Sequence, residues 1–184
     1  MKKKYLCNLT ELLDMFNIFA CFMSKFKILH IVRHGKALQD YQYIQDVDRP
    51  LIEKGILNNI TIARQLRAQY PAPGLIISSH AARALQTAHI FAGAMGYPHA
   101  RVQVNENLYS NGEKETYNIL ERLPDDLDSV MVVGHNPDLT CVAHRLAQCY
   151  YPIPTSGVVT ICFETDRWSE TGKAKIKCTR LFEK

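Results

Sequence analysis

Residues 26–35 read Phe26-Lys27-Ile28-Leu29-His30-Ile31-Val32-Arg33-His34-Gly35. The run is apolar and β-branched as far as Val32, and it stops at a glycine. That reads as a strand buried in a sheet. A strand of this kind asks for helices above and below it, so the neighbouring sequence should supply them.

It does. Residues 36–52 are polar and contain Pro50, which predicts a loop. Residues 53–70 carry Ile56, Leu57, Ile60, Ala63 and Leu66 at helical spacing, and Pro71 and Pro73 end that segment. Leu75-Ile76-Ile77 reads as a second short buried strand, and residues 81–95 as a helix closed by Gly96. Residues 102–104 predict a third strand, residues 113–123 a helix stopped by Pro124, and Val130-Met131-Val132-Val133 a fourth buried strand. A helix follows over 139–149. Residues 158–164 and 175–182 alternate like strands near an edge, with a turn over 166–172. Strand and helix alternate throughout. This predicts an α/β single-domain three-layer sandwich, with a mostly parallel sheet and helices on both faces. No repeat, low-complexity stretch or linker interrupts it, and 184 residues suit one domain.

Upstream of the first strand, Lys2-Lys3-Lys4, Leu12-Leu13 and the apolar stretch 16–22 have a faint look of a signal peptide. Glu11, Asp14 and Asn17 interrupt it, and it is too short and polar to span a bilayer. Residues 1–24 are expected to be an N-terminal extension and residues 25–184 the domain.

Hydrophobic residues make up 47% of the chain and charged residues 22%, the balance of a soluble globular protein. The net charge of +4 suits a site that attracts anions, and equally a slightly basic surface with no role. No basic run continues past Lys4 and no aromatic ladder accompanies one, which argues against a nucleic-acid partner. The six cysteines (Cys7, Cys21, Cys141, Cys149, Cys162, Cys178) form no C-x-x-C pair, so no metal site is expected. Cys141, Cys149 and Cys162 lie in apolar stretches and read as reduced, buried small hydrophobes, which points to a cytoplasmic protein.

Ligands of open α/β sheets bind at the carboxyl ends of the strands. Three buried strands end in reactive residues: Arg33-His34-Gly35, then Ser78-Ser79-His80 followed by Arg83, and Gly134-His135-Asn136. A phosphoryl group spreads negative charge over its equatorial oxygens during transfer, and arginine's planar fork matches those oxygens in pairs. A neutral imidazole is a good nucleophile toward phosphorus, and a second histidine can donate a hydrogen bond to the transferring group. Singly, each residue has a plainer reading, as a loop or core histidine or a solvated arginine. Together at strand ends they open the reading of an anion-binding catalytic site, with the plainer one beside it.

The stretch Leu29-His30-Ile31-Val32-Arg33-His34-Gly35-Lys36-Ala37 resembles the histidine phosphatase superfamily, and within it the SixA-like phosphohistidine phosphatases. Asp48-Arg49-Pro50-Leu51 with Lys54-Gly55, Ser78-Ser79 with Arg83-Ala84-Leu85-Gln86-Thr87-Ala88, Glu106-Asn107-Leu108-Tyr109, Val133-Gly134-His135-Asn136-Pro137, Pro154-Thr155 and Trp168 resemble further segments of that group, in order. The resemblance implies a phosphoglycerate-mutase-like fold and a metal-independent phosphatase that needs no cofactor. It implies that His34 becomes phosphorylated, that Arg33 and Arg83 bind the phosphoryl oxygens, and that His135 hydrogen-bonds the same group. Glu106 is the nearest match to the superfamily's leaving-group acid. A P–N bond to imidazole leaves more easily than an alkoxide, so an acid is less needed there.

Two positions depart from the pattern. His80 stands where the group has Pro and is expected to be a loop residue. Ile52 stands where it has a helix-capping Thr, which predicts a ragged helix start. The implied partner is a phosphorylated protein carrying phosphohistidine, or a small phosphorylated metabolite such as a sugar phosphate or nucleotide. A catalytically silent phosphate-binding domain is the alternative of another class. No membrane is implied, and a monomer is expected.

Overall fold

The computed structural model describes residues 26–39, 43–148 and 152–184. Its elements are β1 (Lys27–Arg33), α1 (Glu53–Arg67), β2 (Leu75–Ser78), α2 (Ala82–Met95), β3 (Gln103–Val104), α3 (Asn107–Ser110), α4 (Gly112–Arg122), β4 (Ser129–Gly134), α5 (Asp138–Ala147), β5 (Val158–Glu164) and β6 (Lys175–Phe182). One sheet runs in the order β3-β2-β4-β1-β5-β6. The first four strands in that order are mutually parallel, and β5 and β6 are antiparallel additions.

Side chains alternate across a strand, so β1 serves two cores at once. Ile28 and Val32 join Ile62, Leu66 and Phe91 from α1 and α2 on one face. Leu29 and Ile31 join Leu120 of α4 with Leu139 and Val142 of α5 on the other. This is the physical reason for the unbroken apolar run. His30, in the middle of it, is a satisfied core histidine: its Nδ1 lies 2.8 Å from Thr160 Oγ1 and its ring meets the edge of Tyr70. At the foot of the sheet, Lys27 Nζ and Trp168 Nε1 both donate to the Leu127 carbonyl, at 3.0 and 2.7 Å.

The strands over 158–164 and 175–182 do lie near an edge of the sheet, β6 outermost and β5 beside it. Other expectations need correction. The first helix stops at Arg67, leaving Tyr70 to pack on the core. The third strand is two exposed residues long. Inside the predicted loop 36–52, Asp46–Asp48 forms a 3₁₀ turn and Ala37 bridges Leu51. Cys162 is buried but Cys141 is only half-buried, because it lies off the apolar stripe of α5. Cys149 and the expected extension 1–24 lie outside the described residues. No helix among the described residues is long and apolar enough to cross a membrane.

Helix α1 begins cleanly but uncapped. Ile52 sits at its N-cap in extended conformation (φ −86°, ψ 163°) and offers no side-chain acceptor. Its backbone N–H is anchored to the Lys36 carbonyl at 3.0 Å, which holds the helix start against the chain leaving β1. Ile52→Thr keeps the backbone and adds the missing acceptor. It should raise unfolding stability by about 1 kcal/mol in urea titrations. An unchanged midpoint would show that the helix start is already saturated by backbone contacts.

Candidate active site

The parallel register of β1 and β4 pairs Arg33 with Gly134, and the ladder continues one step as the His34 N–H donates to the Gly134 carbonyl at 3.0 Å. The next residue on each strand end is a histidine. Their rings lie 5.0 Å apart between centroids. On the other side of β4, the Ser79 N–H donates to the Val133 carbonyl at 2.9 Å, so the β2 end lies level with them. Arg83 follows one turn later, on α2.

The Arg33-His34-Gly35 turn is clamped from below. The Gly35 N–H donates to Thr87 Oγ1 (3.0 Å), Asn59 Nδ2 donates to the same oxygen (3.0 Å), and Thr87 Oγ1 donates to the Arg83 carbonyl (2.7 Å). All hydrogen-bonding capacity of the Thr87 hydroxyl is used. The fit is close: a Cβ on Gly35 would stand 2.6 Å from Asn59 Nδ2, and one on Gly55 would stand 2.2 Å from the Lys36 carbonyl oxygen. Gln86 Oε1 accepts from the Leu51 N–H at 2.7 Å. Residues 83, 86 and 87 share a helix face at this spacing. One face of α2 therefore carries the arginine and holds two loops around it.

His34 Nδ1 lies 2.7 Å from the Gly35 carbonyl. A carbonyl only accepts, so Nδ1 carries the hydrogen and the lone pair is on Nε2. Burial holds the ring's pKa down at about 4; Arg83, Arg33 and Arg49 add to this, and the Gly35 bond opposes it. The ring is neutral at pH 7, as a nucleophile requires. His135 Nε2 lies 2.9 Å from Ser79 Oγ, which also accepts from the Ala81 N–H. A hydroxyl has one hydrogen and two acceptor lone pairs, so this contact suits either tautomer of the ring. The His135 Nδ1 is buried with no partner among the described residues. Burial first, then His34 and Arg83, push His135 down to about 3.

Two guanidinium nitrogens are in the same condition. Arg33 Nη1 donates to the Ile153 carbonyl at 2.9 Å, but its Nε is buried and unpartnered, as is Arg83 Nε. Buried donors without acceptors are costly in a folded chain. Two of them, with His135 Nδ1 beside a neutral imidazole, describe a cradle for an oxyanion.

The structure thus gathers Arg33, His34, Arg83 and His135. It places Glu106 at the start of α3 with an exposed side chain, and no hydrogen bond or ion pair among the described residues ties its carboxylate to those four. The carboxylate that does reach the arginines is Asp46, which sequence reading missed. Its Oδ2 accepts from Arg83 Nη2 (2.8 Å) and the Tyr109 hydroxyl (2.6 Å), and its Oδ1 from Arg49 Nη2 (2.6 Å). The Tyr109 bond, then Arg83 and Arg49, hold it down at about 2 against the opposing effect of burial. The Tyr109 ring also meets the edges of His135 (5.3 Å) and His80 (5.2 Å). His80 thus borders the site through Tyr109. The signal available for Arg49 and Tyr109 was their place in quoted motifs; Asp46 lies in none. Among the described residues, no group of three or more His, Cys, Asp or Glu side chains could hold a metal ion.

Two measurements follow from this geometry. His30, His34 and His135 have folded-state pKa values of about 3, 4 and 3, below the 6.5 of a free imidazole. Between those values the unfolded chain binds more protons. Stability is therefore complete above pH 6.5 and falls as pH drops toward 3, by up to about 1.4 kcal/mol per pH unit for each histidine titrating. Urea titrations at descending pH should show the decline; a flat profile from pH 7 to 4 would refute the buried neutral rings. Arg83→Lys should lose about two to four orders of magnitude in kcat/KM, about 3–5 kcal/mol, because one ammonium cannot serve both Asp46 and a phosphoryl oxygen. Near-native rates would show that Arg83 acts as a point charge.

Comparison with known proteins agrees with this geometry. Residues 29–139 match the histidine phosphatase superfamily (branch 1). An uncharacterized protein of Picosynechococcus sp. is 37% identical over 121 residues, 65% of this chain and 72% of that protein. One of Mycobacterium tuberculosis is 32% identical over 117 residues, 63% of this chain and 70% of its own. Among solved structures, a protein assigned as the phosphohistidine phosphatase SixA of Agrobacterium tumefaciens superposes with a TM-score of 0.67 at 28% identity, covering 84% of this chain and 97% of that one. The protein histidine phosphatase SixA complexed with tungstate superposes with a TM-score of 0.72 at 22% identity over 85% and 96% of the two chains, a likeness of fold. A superfamily match that spans the strand ends carrying both histidines and both arginines places this chain in the histidine phosphatase superfamily as a SixA-like phosphatase.

Proposed function

We propose that the protein removes phosphoryl groups from phosphohistidine in proteins, without a metal, through a phosphohistidine intermediate on His34. The observation that carries this reading is the set of buried nitrogens on Arg33, Arg83 and His135 with no partner among the described residues, beside an imidazole that keeps its hydrogen on Nδ1 and its lone pair on Nε2. In the first half-reaction the Nε2 lone pair forms a bond to phosphorus while the arginines and the His135 Nδ1–H take the equatorial oxygens, where charge accumulates. In the second, water takes the phosphoryl group, and His34 leaves as a neutral ring because Nδ1 already holds its hydrogen. SixA, the name carried by the superposing proteins, denotes action on phosphohistidine, which supports the same substrate class here. Glu106, exposed one helical turn before Tyr109, stays the candidate acid for ester substrates with poor leaving groups.

The reading is tested by rapid quenching with labelled substrate in excess EDTA. An acid-labile, base-stable phosphoryl-enzyme should appear and map to His34, and His34→Ala should abolish both the adduct and turnover. A label on His135 or His80, an acid-stable ester, or activity restored only by added divalent metal would overturn it. Turnover confined to sugar phosphates or nucleotides would move the substrate class to small esters while leaving the intermediate in place.

A further inference from the structure

A carboxylate bound to a phosphate-binding arginine repels the phosphate, so Asp46 is hard to account for in a pocket built only for a dianion. The details of its contact resolve this. Arg83 presents two hydrogen-bonding edges. Asp46 fills the end edge: its carbonyl accepts from Nη1 (2.5 Å) and its Oδ2 from Nη2 (2.8 Å). On the side edge, Nε is buried without a partner among the described residues, and the Tyr109 hydroxyl stands near the guanidinium. A phosphoryl group can take the side edge while Asp46 keeps the end edge, so the two anions become neighbours on one guanidinium.

The leaving group lies opposite the nucleophile in an in-line displacement. His34 is held at the clamped turn, and the Asp46 side chain, bound to the end edge of Arg83, is 52% exposed. The groups that face this carboxylate are Arg83 from α2, Arg49 from the loop and the Tyr109 hydroxyl from α3, with the His135 and His80 rings beyond Tyr109. Three donors keep Asp46 ionised, with its pKa at about 2, so it has no proton to give an alkoxide. An ionised carboxylate favours a leaving group that bears positive charge. An imidazole phosphorylated on one nitrogen and protonated on the other is such a group; a phosphate ester is not.

Resting on the phosphohistidine reading above, we infer that Asp46 sets the leaving-group preference by keeping the proton on the far nitrogen of the substrate's imidazole. His34 Nε2 donates its lone pair to phosphorus, and the P–N bond to the substrate ring breaks with its electron pair returning to that ring nitrogen. The proton on the far nitrogen stays in place. The ring thereby goes from cation to neutral imidazole, and Asp46 remains a carboxylate throughout.

The test is the single-turnover rate of His34 phosphorylation at saturating N-phosphoimidazole and at saturating p-nitrophenyl phosphate, across pH, in wild type, Asp46→Asn and Asp46→Glu. Both substrates yield the same phosphoryl-enzyme and differ only in the leaving group. Asp46→Asn should lower the phosphoimidazole-to-aryl rate ratio at pH 8 by about tenfold, with the alkaline limb for phosphoimidazole moving to lower pH by about one unit. Asp46→Glu, which keeps the charge, should restore part of the ratio. Equal losses on both substrates in Asp46→Asn would overturn the inference and make Asp46 a support for Arg83. Equal gains would overturn it too and make Asp46 a competitor for the phosphate site. A wild-type enzyme phosphorylated by the aryl ester but not by phosphoimidazole would instead fail the substrate reading, and the inference with it.

Discussion

The hydrogen bond from the His34 N–H to the Gly134 carbonyl extends the β1–β4 ladder one residue beyond the sheet, and the site is assembled around it. Parallel pairing fixes which residues leave the sheet at the same level. With Arg33 opposite Gly134, the next residue on each strand is a histidine, and the rings come to 5.0 Å. A slip of one residue would turn each side chain of β1 to the opposite face and part the two rings. Ile28 and Val32 belong to one core and Leu29 and Ile31 to the other, and a slip would also carry His30 away from its buried partner Thr160.

Around this pair, the electrostatics are those of a site prepared for an anion. Three arginines act on His34, and burial acts in the same direction, so imidazoles that would be partly protonated in water stay neutral. The Nε donors of Arg33 and Arg83 are buried with no acceptor among the described residues, an arrangement that suits an anion. The Gly35 carbonyl keeps the hydrogen of His34 on Nδ1, so that ring offers its Nε2 lone pair, while His135 is held through Nε2 by the Ser79 hydroxyl.

Helix α2 joins support to chemistry. Arg83 is 5% exposed, and its end edge is held by Asp46, so its guanidinium is fixed rather than solvated at a helix start. One turn on, Gln86 and Thr87 hold Leu51 and Gly35. A movement of the helix would therefore shift Arg83 and the Arg33-His34-Gly35 turn together. The glycines at 35 and 55 permit this because their backbones pass closer to Asn59 and Lys36 than any side chain allows.

Much of this was legible in the sequence. The strand–helix alternation, the mostly parallel sheet and the strand-end histidines with their arginines all follow from local patterns: period-two burial, helical spacing, and reactive residues placed after buried strands. Which of β5 and β6 is outermost was not legible, because a strand's residue pattern is the same whether one neighbour or two pair with it. Asp46 and Tyr109 were not assigned to the site either. They lie 37 and 26 residues from Arg83 along the chain, on a 3₁₀ turn and a one-turn helix, and neither element has a period to read. Residue types and local order are properties of the chain and can be read along it. Which carboxylate faces which arginine depends on how two loops fold back over one sheet edge, and only the tertiary structure decides that.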